Sequence, residues 1–302
     1  MKKINLIFSH KFGSKKIDVK KALQKTFNTK KITQIINKTG PNFLRHAAED
    51  ENTLTLAVDA FKKTKLNNKA KSKIKNLIFV TETPLYAFPG NAVIFSSILN
   101  LNKDLNLFDL NAGCTGFVDS IKIASRMKGE TLIVCSETYS KYFNKFNRSI
   151  STIFSDCASV FLYQKNIKLI DHISGYEKNS HSFLIGYNKK EISMDGGKVF
   201  NFITSTVIPS LKKFIKKKNI TKINKIYIHQ ASRVVIETFK EKFNNYEFIF
   251  PSNLTKVGNT NASTIPLMLE EDVKKKKIKK GDRVIMCGFG VGLSFSIALI
   301  EI

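Results

Sequence analysis

Leu105-Asn106-Leu107-Phe108-Asp109-Leu110 runs into Asn111-Ala112-Gly113-Cys114-Thr115-Gly116-Phe117, and apolar residues at helical spacing follow from 115 to 128. A strand that turns on glycine into a helix is the building unit of an α/β domain. The glycines beside Cys114 permit a sharp turn and a close approach of backbone to a ligand. A thiol in the first turn of a helix faces unpaired N–H groups and the positive end of the dipole, which predicts a lowered pKa and a reactive Cys114. The competing reading is a buried structural cysteine, as most free cysteines are. Cys135, inside the apolar run 131–136, takes that second reading.

Outward from this unit the same grammar recurs. Residues 18–37 and 53–65 carry helical spacing, 77–81 reads as a buried strand, 91–101 as a helix, and 131–136 and 158–164 as further strands. In the second half, 201–217 and 233–242 read as helices around a strand at 225–228. A helix at 264–277 and strands at 284–286 and 293–302 follow. Alternating strands and helices predict parallel pairing with helices on both faces. The repeated order predicts a duplicated α/β fold in two halves, 1–164 and 165–302, with sites at strand ends where the halves meet.

Composition bounds the function. The 302 residues are 42% hydrophobic, which excludes wholesale disorder. Fifty Lys and Arg against 24 Asp and Glu leave a net charge of +26, a field that attracts acidic partners. Only Arg45, Arg126, Arg148, Arg233 and Arg283 are arginines, so the surface is built of solvated point charges rather than planar readers of phosphates and bases. Cys114, Cys135, Cys157 and Cys287 form no Cys-x-x-Cys pair, which argues against a disulfide framework or a metal site and for a reducing, cytoplasmic setting. The apolar run at 4–8 is too short for an export signal. The uncharged stretch 284–300 approaches membrane-spanning length, yet Gly288, Gly290 and Gly292 divide it into two buried strands and a turn.

Two further residues stand where α/β proteins build sites. His229 follows the strand 225–228 in His229-Gln230-Ala231-Ser232-Arg233, and Asn259 lies in Val257-Gly258-Asn259-Thr260-Asn261-Ala262-Ser263, just before a helix. Each has an ordinary alternative, a hydrogen-bonded histidine and a turn residue. An asparagine amide never ionises, so it can give a fixed hydrogen bond to a developing oxyanion. Gly288-Phe289-Gly290-Val291-Gly292 lacks the lysine of a phosphate-binding loop and reads as a strand–turn–strand whose N–H groups face a site.

Cys114, His229 and Asn259, in that order and in these settings, resemble the β-ketoacyl-acyl-carrier-protein synthase III family of the thiolase superfamily. The motifs are Gly113-Cys114-Thr115-Gly116-Phe117, His229-Gln230-Ala231-Ser232, Gly258-Asn259-Thr260-Asn261-Ala262-Ser263 and Gly288 to Gly292, and the likeness runs from about residue 39 to the C-terminus. The resemblance implies a thiolase-like, duplicated, five-layered αβαβα fold, a homodimer, and no metal or resident cofactor. Cys114 would take an acyl group from acyl-coenzyme A, and His229 and Asn259 would stabilise the enolate formed as a malonyl thioester on acidic acyl carrier protein loses CO2. The backbone N–H groups of Cys114 and Val291 would form a second oxyanion hole. Phe88, Arg148, Phe154, Ser232 and Phe289 would bind substrate, with Phe88 entering the partner subunit's acyl pocket and favouring short chains. Lys212, Lys213 and Arg233 would dock the carrier.

The chain departs from the family pattern at four places. Val291 stands where glycine is usual, which makes a left-handed backbone there costly. Ser232 replaces an asparagine, Cys157 a glycine, and there is no tryptophan to stack on the adenine of coenzyme A. The departures keep open an acyltransferase of the same fold that acylates an amine or hydroxyl without decarboxylation. A nucleic-acid or membrane-surface binder would use Lys274–Lys277, Lys279 and Lys280, but no aromatic residues interleave them, and a solvated helix face is the simpler reading.

Overall fold

The computed structural model describes residues 6–143, 147–187, 191–217, 223 and 225–302. Nine of the described strands make two sheets. The first half supplies β1 (Ile7–Phe12), β2 (Ile74–Val80), β3 (Asn106–Leu110), β4 (Glu130–Glu137) and β5 (Cys157–Tyr163), in the order β1-β5-β4-β2-β3. The second supplies β6 (Lys168–Tyr176), β7 (Lys225–Ile228), β8 (Arg283–Gly290) and β9 (Ser294–Glu301), in the order β6-β9-β8-β7. Pairing repeats between them. The first two pairs of each sheet are antiparallel and β4 with β2, like β8 with β7, is parallel. The parallel pair β2 with β3 has its counterpart in one parallel bridge from Lys225 to Ile249.

The duplication read from the sequence thus appears as a repeated strand order, but the sheets are mixed rather than parallel throughout. β8 returns directly into β9 across residues 291–293, a connection that only an antiparallel pair allows. Strands buried on both faces look alike in sequence whichever way they pair.

Each central strand divides its side chains between two layers. Leu77, Phe79, Leu132 and Val134 pack on the helices Thr53–Lys63 and Asn91–Ile98, whereas Ile78, Val80, Ile133 and Cys135 pack on Gly116–Arg126 and Thr264–Lys274. From the other side, Tyr227, Val284, Met286 and Ala298 of the second sheet meet those same two helices. Ile226, Ile285 and Ile297 face outward to the helical run Gly196–Lys217 and to Arg233–Lys242. The result is the five-layered αβαβα arrangement, with the middle helices packed between the two sheets.

The apolar stretch 284–300 is the antiparallel pair β8 and β9, and no helix among the described residues is long and apolar enough to cross a membrane. The helix expected at 18–37 is instead a strand end followed by two helices, Val19–Gln24 and Thr29–Thr39. Asp18 and Asn28 each cap a helix start, accepting from the Lys21 N–H at 3.0 Å and the Lys31 N–H at 2.9 Å, which restarts the helix in mid-pattern. β1 and β6 escape a sequence reading because edge strands carry polar residues on their open side.

Candidate active site

The turn Gly113–Thr115 leads β3 into the interior helix Gly116–Arg126 and presses Cys114 against the end of β8. A Cβ at Gly288 would lie 2.6 Å from the Cys114 carbonyl oxygen, and one at Gly290 would lie 2.9 Å from Cys114 Sγ. These glycines therefore let the two halves touch at the thiol. His229 comes off the end of β7, its N–H donating to the Cys287 carbonyl at 2.9 Å. Asn259 is held on both sides of its backbone: its N–H donates to the Ile153 carbonyl at 2.9 Å and its carbonyl accepts from the Ser155 N–H at 2.8 Å.

Cys114, His229 and Asn259 line one cavity of about 480 Å³, together with Phe154, Ser232 and Phe289. All three are buried. His229 Nε2 stands 3.4 Å from Asn259 Nδ2, and Cys114 Sγ stands 3.8 Å from Asn261 Oδ1. Asn261 is itself pinned, its N–H donating to Asn259 Oδ1 at 2.9 Å. Phe289 meets the His229 ring edge-on at 5.5 Å and stacks on Phe239 behind it, which fixes the imidazole plane. Ser232 caps the helix Arg233–Lys242, accepting from the Val235 N–H at 3.4 Å.

Burial sets the protonation states. It pushes the His229 pKa down to about 3, with a backbone hydrogen bond at Asn261 as the opposing influence, so the ring is neutral at physiological pH. Cys114 goes the other way from expectation. Desolvation raises its pKa well above the ordinary thiol value, the nearby carboxyls of Glu82 and Glu137 add to the rise, and hydrogen bonds from the N–H groups of Val291 and Cys114 only partly oppose it. The lowered pKa expected from the helix start is overturned because the turn lies in the protein interior, where loss of water outweighs a few aligned N–H dipoles.

The concern about Val291 also falls. Left-handed backbone is taken by Gly290 (φ 158°) and Gly292 (φ 128°), and Val291 between them has no positive φ, so its N–H reaches the Cys114 sulfur without strain. Phe88 does not reach these residues. It is 86% exposed, at the tip of a loop. The Arg148 side chain lies outside the described residues. Of the three docking candidates, Lys212 lies over the Phe243 ring, Arg233 Nη2 donates to the Gly40 carbonyl at 3.3 Å, and Lys213 is exposed. Cys157 is buried in β5, away from the cavity lining.

Several residues of the site escape a sequence reading. Lys38 lines the same cavity. A second cavity, of about 340 Å³, lies beside the Val291–Gly292 turn and is lined by Glu82, Thr83 and Tyr139 among others. Behind it Glu137 accepts from the Glu82 N–H at 2.9 Å and from the Thr83 hydroxyl at 2.7 Å. Burial, and for Glu137 the charge of Glu82, pushes both carboxyls up. A signal for them did exist: Glu82 stands two residues past β2 and Glu137 ends β4, at the strand ends where α/β sites form.

Comparison with known proteins agrees with this layout. Residues 108–176 match the model of 3-oxoacyl-[acyl-carrier-protein] synthase III, and residues 215–302 match the model of its C-terminal part. The chain is 32% identical to a β-ketoacyl-[acyl-carrier-protein] synthase III of Clostridium perfringens over 284 residues, covering 85% of this chain and 87% of that one. It is 29% identical to the Fusobacterium nucleatum synthase III, covering 88% and 89%. In fold it is similar to the 3-oxoacyl-[acyl-carrier-protein] synthase III of Aquifex aeolicus, with a TM-score of 0.86 at 23% identity over 98% and 99% of the two chains. The corresponding protein of Thermus thermophilus gives 0.87 at 23% identity over 99% of both. The shared fold thus reaches into the stretch before residue 39, where the motifs give no likeness. Taken with the layered architecture, these matches show that the chain belongs to the β-ketoacyl-acyl-carrier-protein synthase III family of condensing enzymes.

Proposed function

We propose that Cys114 accepts an acyl group from a thioester donor and that the acyl group is then condensed with a malonyl thioester on acyl carrier protein. In the first step a bond forms between Cys114 Sγ and the acyl carbon, the donor C–S bond breaks, and the donor leaves as a thiol carrying the cysteine proton. In the second, the malonyl carboxylate leaves as CO2 and its bonding electrons pass through an enolate to the acyl carbonyl. Cys114 departs as a thiolate and is reprotonated.

The observation that carries this reading is the pair of nitrogens, His229 Nε2 and Asn259 Nδ2, 3.4 Å apart on the wall of the Cys114 cavity. With His229 in the Nε2–H tautomer the two are neutral donors, fixed before the reaction and shielded from water, as an enolate oxygen requires, and each is worth roughly 10²–10³ in rate. The same fact disfavours transfer to a hydroxyl or amine. That reaction needs a base to deprotonate the acceptor, and a histidine with a pKa of about 3 is a poor one. The N–H groups of Val291 and Cys114, both directed at the sulfur, suit the tetrahedral oxyanion of acyl transfer.

The net charge of +26 supports an acidic carrier as partner, with Lys38 at the cavity and Lys213 free to meet it. Acyl-coenzyme A serves as donor in this reading, and the groups described need no resident cofactor. The exposed apolar residues Tyr86, Phe88, Val93, Ile98 and Phe108 border the open edge of β3 and support a homodimer across it. The repeated strand order supports halves divided at 164–165. Four free cysteines suit a cytoplasmic enzyme. Incubation with acyl-coenzyme A or acyl carrier protein thioesters is expected to add one acyl mass, lost in Cys114→Ser; no adduct from a panel of donors would overturn the proposal.

A further inference from the structure

Cys114 stands between two cavities. One carries His229 and Asn259; the other begins at Val291 and Gly292, whose turn touches the sulfur, and at Glu82, whose carboxyl lies against Gly113. If the thioester arms and the malonyl group use the first, the second is the space left for the acyl chain on Cys114. The inference therefore rests on the proposed role of Cys114.

A cavity made for hydrocarbon alone is apolar throughout. This one has an apolar wall of Leu184, Ile185 and Ile192 together with Glu82 and Tyr139, and among the described residues no lysine or arginine lines it. The two carboxyls differ in how they are satisfied. Glu137 takes hydrogen bonds at both oxygens, from the Glu82 N–H and from the hydroxyls of Thr81 and Thr83, and so is held as part of the framework. Glu82 Oε2 accepts from the Tyr139 hydroxyl, and among the described residues Oε1 meets no donor. Glu82 is only half-buried, so this oxygen opens to the cavity, where a bound chain displaces water and must offer a hydrogen bond in its place.

We propose that Glu82, held by Tyr139, selects the acyl group loaded on Cys114, favouring a short chain with a hydroxyl close to the thioester over a hydrocarbon of the same shape. The contact between Glu82 and Gly113 keeps the carboxyl beside the turn that bears the sulfur, so it addresses the first few carbons of the chain. A hydroxyl suits this carboxyl whether or not it is protonated, because it can give or accept a hydrogen bond. An ammonium at the same place would bring a larger desolvation cost.

The test compares 3-hydroxybutyryl-coenzyme A with 3-methylbutyryl-coenzyme A, which differ by a hydroxyl against a methyl on the same carbon. The rate of mass addition at Cys114 is measured for each donor. The wild-type protein is expected to load the hydroxyacyl group at least about tenfold faster, a ratio of the size that one hydrogen bond to a charged or carboxyl group supplies. In Glu82→Leu the preference should vanish or invert, and in Glu82→Gln it should be partly kept. General damage to the fold lowers both rates and leaves their ratio, so the ratio reads the contact itself. A wild-type ratio of one or less, or an unchanged ratio in Glu82→Leu, overturns the proposal. Acetyl-coenzyme A separates the two levels. Acetylation of Cys114 without any hydroxyacyl preference refutes the pocket alone, whereas no mass from any donor, or mass that survives Cys114→Ser, refutes the nucleophile as well.

Discussion

The buried, carboxyl-flanked position of Cys114 makes a quantitative demand on its reactivity. A thiol at the start of a helix is commonly pictured as a ready thiolate, but here burial, Glu82 and Glu137 all hold the proton on sulfur. With a pKa above 9, the thiolate is less than about 1% of the total at pH 7 and grows tenfold per pH unit. Alkylation by iodoacetamide, followed by mass spectrometry on intact protein, should therefore rise throughout pH 6 to pH 8 without a plateau, with about two orders of magnitude as the upper bound. Cys135 and Cys287, closed inside strands with thiols pushed up by burial, serve as internal controls that stay unmodified. The carboxyls shape the curve further. Both have raised pKa values, so as each ionises its charge lifts the Cys114 pKa again and the slope falls below tenfold per unit. Glu137→Gln removes one such charge and should steepen the curve and raise the rate at pH 8. A rate that levels off by pH 7 in the wild-type protein would refute the reasoning, since it would mean that the helix dipole outweighs burial.

Three other outcomes follow from particular contacts. Val291→Gly should leave acyl loading within about threefold, because the backbone is already unstrained, while Val291→Pro should lower it by 10²-fold or more by removing the N–H directed at the sulfur. For Glu82 and Glu137, a carboxyl with a raised folded pKa contributes stability below its ordinary value near 4.5 that is lost as pH rises through the folded value. The melting temperature should accordingly fall between pH 5 and pH 8.5, and Glu137→Gln should flatten that fall. Phe88→Asp, at a side chain 86% exposed, should convert a dimer into a monomer by sedimentation velocity; an unchanged dimer would place the interface elsewhere.

The layered fold was legible because the central strands are buried on both faces. Runs such as Leu77 to Val80 and Thr131 to Ser136 are unmistakable, and the glycines of 288–292 mark where backbone must approach Cys114. Pairing direction was legible only where a short turn joins the strands, as between β8 and β9; β5 against β4, both buried on two faces, reads the same whichever way it runs. The same limit applies to the site. Cys114, His229 and Asn259 stand at strand ends and turns in telling local sequence, and the fold brings them to one cavity. The thiol's protonation state depends first on its burial and then on Glu82 and Glu137, all of which are set by other parts of the chain. A helix-start rule applied to residues 113–117 alone has no access to them. Val291 shows the converse: a departure that looked costly in sequence is harmless because Gly290 and Gly292 take the unusual backbone.

The central claim is that His229 and Asn259 together hold the enolate oxygen formed as CO2 leaves. Release of CO2 from malonyl-acyl carrier protein by acyl-loaded enzyme tests it most directly, with Cys114 acylation measured on the same samples. His229→Ala and Asn259→Ala are each expected to lower CO2 release by about 10²–10³-fold while Cys114 still accepts the acyl group. CO2 release undiminished in either variant would contradict the account.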